Sequence, residues 1–159
     1  MADYAVITRE KMASEYDGTK RVSLKINEDL QNGSVVVVGD LVSGKREVFT
    51  TTKPTATSEL SDIAILTTPE VDTDERKKNL SDFINKATNP LPATGDYLTA
   101  KDIFSLTAEG FDGTPAVGNI VELQADYKLK VVSTATAGST VVGKIIDFAN
   151  GKYAIKVNG

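Results

Sequence analysis

The sequence predicts a mainly β protein, an antiparallel β-barrel or β-sandwich with one short α-helix. Three observations predict it. Several segments alternate apolar and polar residues with period two, an Asn-Gly pair stands between two such segments near the C-terminus, and helical periodicity is confined to one stretch.

The first twenty residues show little patterning and read as an N-terminal arm, residues 1–20. "RVSLKI" then places Val22, Leu24 and Ile26 on one face and Arg21, Ser23 and Lys25 on the other, as a half-buried strand does. The run Val35 to Val38 is apolar on both faces and predicts a central strand covered on both sides.

"GDLVSGK", residues 39–45, matches half of a phosphate-binding loop: glycine, four residues, glycine, lysine. Such a loop draws its anion affinity from backbone amides at a helix start, with a hydroxyl after the lysine to hold magnesium. Here Arg46 follows the lysine, and "REVFTTTKP" is β-branched and ends in proline. The stretch therefore reads as a hairpin tip at Ser43 and Gly44, joining residues 35–42 to residues 45–52, with Asp40 opposite Arg46 as a cross-strand charge pair.

"TTKPTATSELS" reads as an exposed loop, and residues 73–86 carry the one helical pattern. Acidic residues open it, lysines follow, and Leu80, Phe83 and Ile84 recur at helical spacing. Asp72, Asp74 and Glu75 suit a first helical turn better than a calcium loop, since the glycine and distal glutamate of such a loop are missing. Pro90 and Pro92 then mark a hinge between an N-terminal lobe, 21–89, and a C-terminal barrel-like lobe, 90–159, which can also pack as one domain.

"TAEGFDGTPAVG" is a loop, and in "NIVELQADYKLKVV" the residues Val121, Leu123, Ala125, Tyr127, Leu129 and Val131 alternate with polar ones. This predicts one long strand or two with a bulge. In "VVGKIIDFANGKYAIKVNG" the Asn150-Gly151 turn pairs Phe148 with Tyr153, Ile146 with Ile155 and Lys144 with Val157. Val142, Ile146, Phe148, Tyr153, Ile155 and Val157 then share one face.

The composition narrows function. The chain has no cysteine, histidine or tryptophan, so thiol nucleophiles, disulfides, histidine-based triads and thiolate or imidazole zinc sites are impossible. Carboxylates, lysines or a bound magnesium could still catalyse, but no spacing argues for a pair, and the expectation is a non-enzyme without cofactor or metal. Lys plus Arg number 18 against 22 Asp plus Glu, a net charge of -4 with no basic run, which argues against nucleic acid as a partner. The longest aliphatic run is too short to cross a membrane, and the N-terminus lacks the apolar core of a signal peptide. Phe49, Phe148 and Tyr153 fall at expected core positions, whereas Tyr4, Tyr16 and Tyr97 sit in weakly patterned segments suited to partner contact.

"NGSVVVVGDLVSGKREVFTTTKP", "AILTTPEV", "LTAKDIFSLTAEGF", "VGNIVEL" and the closing hairpin together resemble small structural proteins from the head-gene modules of tailed bacteriophages, the capsid decoration or cement proteins. The similarity runs from about residue 32 to residue 159 and lies in patterns of strands and turns. It implies a virion protein on the outer capsid surface, made in the host cytoplasm. Its partner would be the major capsid protein lattice, whose neighbouring subunits it would clamp as a monomer or a homotrimer. Under that reading the arm, with Tyr4, Arg9, Lys11, Met12 and Tyr16, contacts the capsid, and deleting residues 1–12 abolishes binding while the barrel stays folded. The alternative is a tail, baseplate or fibre module that recognises a glycan or another virion protein.

Overall fold

The computed structural model describes residues 4–70, 80–81 and 83–158. They are mainly β, and their helical segments are single 3-10 turns. Three sheets form. The first closes into a barrel in the order β2 (Arg21–Lys25), β5 (Val48–Thr52), β4 (Val35–Leu41), β6 (Ile63–Leu66) and β9 (Ala93–Tyr97), with β2 and β5 parallel and the other pairs antiparallel. The second has seven strands: β1 (Ile7–Lys11), β10 (Ile103–Thr107), β15 (Lys152–Val157), β14 (Val141–Ala149), β12 (Ile120–Gln124), β13 (Asp126–Val132) and β11 (Phe111–Asp112). A small third sheet joins β3 (Leu30–Gln31), β8 (Ile84–Asn85) and β7 (Leu80–Ser81).

Strands β4 and β6 weld the barrel to the seven-stranded sheet. Val36, Ala64 and Leu66 belong to the barrel's core, while Val35, Ile63 and Ile65 belong to the core under the large sheet. All six are fully buried. The two-faced apolar run at residues 35–38 is therefore a central strand with a core on either side. Tyr127, from β13, crosses into the barrel's core and fastens the two units from the other side.

The boundary at Pro90 does not divide the sheets. β9 follows both prolines yet closes the barrel against β2, and β1 precedes the barrel yet pairs with β10 of the C-terminal sheet. Residues 4–20 of the expected arm are accordingly not free. Ile7 pairs with Leu106 and Thr8 with Ser105, and Ala5 and Met12 are each 1% exposed. The strand escaped the pattern because it sets a half-buried Arg9 where alternation would show an aliphatic residue, and its register shifts between Thr8 and Lys11.

Residues 73–79 and Asp82 of the expected helix lie outside the described residues, as do Asp72, Asp74 and Glu75. The described end of that stretch is not helical. Ser81 pairs with Ile84 in an antiparallel hairpin turning through Phe83 at φ 63, a left-handed conformation that ends any α-helix.

The hairpin through "GDLVSGK" forms, with a turn in which Lys45 N–H donates to the Val42 carbonyl at 2.9 Å and Gly44 takes φ +78. A bulge between Val38 and Leu41 shifts its register, so Leu41 faces Phe49. The Asp40 carbonyl then accepts from Thr50 Oγ1 at 3.0 Å, and Asp40 does not meet Arg46.

The long alternating stretch is two strands, but they fold back on each other as a hairpin at Ala125 instead of running on. Val121 pairs with Val131 and Glu122 with Lys130. Odd residues face odd residues across this hairpin, so the period-two pattern passes through the reversal unbroken. The C-terminal hairpin turns at Asn150 and Gly151, both with positive φ, and pairs Phe148 with Tyr153. Beyond that pair a bulge at Ile146 changes the register, so Ile145 rather than Ile146 faces Ile155, and Gly143 rather than Lys144 faces Val157. Ile145 is fully buried, while Ile146 is 42% and Phe148 49% exposed.

Candidate functional site

The residues singled out from the sequence as partner contacts divide by burial. Met12 is core, and Arg9 points inward, its Nε 2.8 Å from the fully buried Asp96 carboxylate and its Nη2 3.1 Å from Glu15. Tyr4 stacks on Phe83 with ring centroids 3.9 Å apart, closing the third sheet against the N-terminal segment. Lys11 is exposed, and Tyr16 stands 92% exposed.

Tyr16 owes this position to a rigid support. Met12, buried beneath the large sheet, anchors one end of the segment. Two consecutive 3-10 turns, Ala13–Glu15 and Gly18–Lys20, carry the chain to β2. The Asp102 carboxylate accepts from Ala13 N–H at 2.9 Å and from Thr99 N–H at 2.9 Å, fixing the first turn to the chain after β9. Asp17 caps the second turn, accepting from both Thr19 N–H and Thr19 Oγ1, and these bonds hold its carboxyl below the usual carboxylate range. A large aromatic is thus held in water on an ordered turn, at little conformational cost to a binding partner.

The second of these turns walls an open groove of about 560 Å³. Thr19 and Lys20 stand on one side, Leu60–Asp62 on another, and Tyr97 and Asn158 line it as well. Burial, then the nearby Asp62 carboxylate, raises the Tyr97 phenol above its ordinary value, so it stays a neutral hydrogen-bond donor in ordinary buffers. One aromatic ring with a carboxylate, an amide, an ammonium and hydroxyls can take up polar ligands by stacking and hydrogen bonding. Tyr97 alone among these was visible in the sequence as a contact residue, because the topology brings the others from three separate segments.

The buried carboxylates are committed elsewhere. Glu122, 1% exposed, accepts from Thr136 N–H and Thr136 Oγ1 and pins the loop after β13, with Lys130 Nζ 3.7 Å away. Asp96 accepts from Thr67 Oγ1 at 2.6 Å besides meeting Arg9. Asp112 and Asp147 lie at exposed strand positions.

The fold and these surfaces define a mainly β protein, built on a closed five-stranded barrel, that presents an exposed aromatic, Tyr16, and a polar groove. No family model, curated protein or solved structure matches the chain.

Proposed function

We propose that this chain is a non-enzymatic virion structural protein of the decoration or cement kind, which binds the outer surface of an assembled phage head and bridges major capsid protein subunits. The observation that carries this reading is Tyr16, an aromatic exposed on a turn locked by Asp102 and Asp17. Aromatic side chains on rigid supports are the residues that dominate binding energy at protein interfaces. The strand and turn patterns of residues 32–159 supply the resemblance to such proteins, and two cores joined through β4 and β6 suit a load-bearing clamp. Many copies on one shell multiply a modest contact by avidity. The contact surface is Tyr16 with Lys11 and the neighbouring turn; Met12 and Arg9 serve the fold. Sedimentation with empty capsids tests this: the native chain co-sediments at a fixed ratio per capsomer, Tyr16→Ala stays in the supernatant, and a native chain that remains soluble overturns the reading.

A second reading, a glycan-binding module of a tail or fibre, is favoured by the groove of Tyr97, Asp62, Lys20 and Asn158. Titration with host cell-wall oligosaccharides, followed by NMR at Tyr97, supports it if signals shift saturably and Tyr97→Ala removes the response. An unchanged spectrum refutes it.

A further inference from the structure

The groove walled by Thr19 and Lys20 lies near the start of β2; a second cavity lies alongside the same strand, between the "GDLVSGK" hairpin and the segment leading into β9, and has a different chemistry. It encloses about 230 Å³. Leu24 and Ile26, both buried, contribute its apolar lining from the barrel, and Val42 and Val48 from the flanks of the "GDLVSGK" turn. Leu91 and Pro92, in the segment leading into β9, complete it. Among the described residues its charged lining is Lys25, Lys45 and Lys86, with no carboxylate. Lys86 is 3.3 Å from Asp29, whereas Lys25 and Lys45 have no carboxylate partner among the described residues. A partly apolar hollow edged by Lys25 and Lys45, neither with a carboxylate partner among the described residues, is complementary to a molecule with an apolar body and a negative end.

We propose that this cavity binds a small amphipathic carboxylate, its chain against Val42, Val48 and Leu91 and its charge between Lys25 and Lys45. A hollow below about 300 Å³ admits only a short chain. The reading also gives Lys45 a use. Its stretch lacks the helix start of a phosphate loop, yet the Gly44 turn places the exposed Lys45 at the rim of a partly apolar cavity.

The full chain, isotopically labelled, is titrated with octanoate and followed by amide and methyl NMR, with octanol and octylamine as the uncharged and oppositely charged counterparts. Octanoate is expected to shift the signals of Leu24, Val42, Val48 and Leu91 saturably, and to bind about ten-fold tighter than octanol, with octylamine weakest. Lys45→Glu and Lys25→Glu, both at exposed positions, each weaken octanoate by roughly five-fold and leave octanol unchanged. Absent shifts, shifts centred outside this cavity, equal binding of octanoate and octylamine, or charge-reversed variants that bind octanoate as the native chain does would each overturn the proposal. Capsid sedimentation is indifferent to all of these outcomes, so this site and the reading of Tyr16 fail or stand separately.

Discussion

Arg9 Nε lies 2.8 Å from Asp96 Oδ2, so the edge strand of the seven-stranded sheet is held to the last strand of the barrel by an ion pair whose acid is fully buried. Thr67 Oγ1 donates to the same carboxylate, and Glu15 draws on the other end of the guanidinium. Asp96 Oδ1, buried as well, has no hydrogen-bond partner among the described residues. The carboxylate thus depends heavily on Arg9. Removing one partner of such a pair strands the other charge, which costs far more than the pair itself contributes.

Asp96→Ala is therefore expected to lower stability by about 3–5 kcal/mol in urea unfolding, and Arg9→Met by a similar amount. The double variant Arg9→Met/Asp96→Leu recovers a large part of the loss, because no unpaired charge remains. Losses that simply add would show that the two residues act independently.

Deleting residues 1–12 unfolds the protein instead of freeing a barrel. The deletion removes β1 from its pairing with β10 and takes Ala5 and Met12 out of the core. Met12→Ala alone is expected to cost about 2–5 kcal/mol. Circular dichroism melting checks both, and a deleted chain that melts like the native one contradicts the role given to β1.

Ile145→Ala and Ile146→Ala test the register of the last hairpin. The fully buried Ile145 predicts a loss of about 2–4 kcal/mol, and the half-exposed Ile146 a change of about 0.5 kcal/mol or less. The bulge decides this order, and the uninterrupted register read from the sequence predicts the reverse.

Burial, and then a hydrogen bond to Glu28, push the Tyr127 phenol from 10.0 to about 12. Between those values the folded chain keeps a proton that the unfolded chain has lost. Stability is therefore complete below about pH 10 and falls as pH rises toward 12, by up to roughly 2–3 kcal/mol for this group. Burial shifts Tyr97 in the same direction, so both phenols contribute to the loss. Tyr127→Phe is expected to flatten the decline measured by thermal melting across alkaline pH, and an unchanged slope would exclude Tyr127 as its source.

The elements read most directly from the sequence were those in which turn chemistry and face pattern agreed. Asn150 and Gly151 adopt the positive φ angles their residue types favour, and Val35 to Val38 pack on two cores as a run apolar on both faces must. The reversal at Ala125 left no mark because the alternation keeps its parity across the hairpin. β1 left none because its buried partner to Asp96 is an arginine, which hydropathy counts as surface. Of the candidate contacts in the N-terminal segment, Tyr16 and Lys11 are exposed, whereas Met12 is core and Tyr4 and Arg9 found partners far along the chain.

By itself the sequence determined the β class, the absence of imidazole and thiol chemistry, the two turns at Gly44 and Asn150-Gly151, and the two-faced strand between them and the N-terminus. All of these follow from residue types and from periodicity within a single segment. Tertiary structure alone decided the bulged registers, the exchange of β1 and β9 between the two halves, the partnership of Arg9 with Asp96, and the lining of the groove and the second cavity. The reason is physical: local spacing records which face of a strand turns inward, whereas pairing partners, bulges and cavities depend on contacts between segments that lie tens of residues apart.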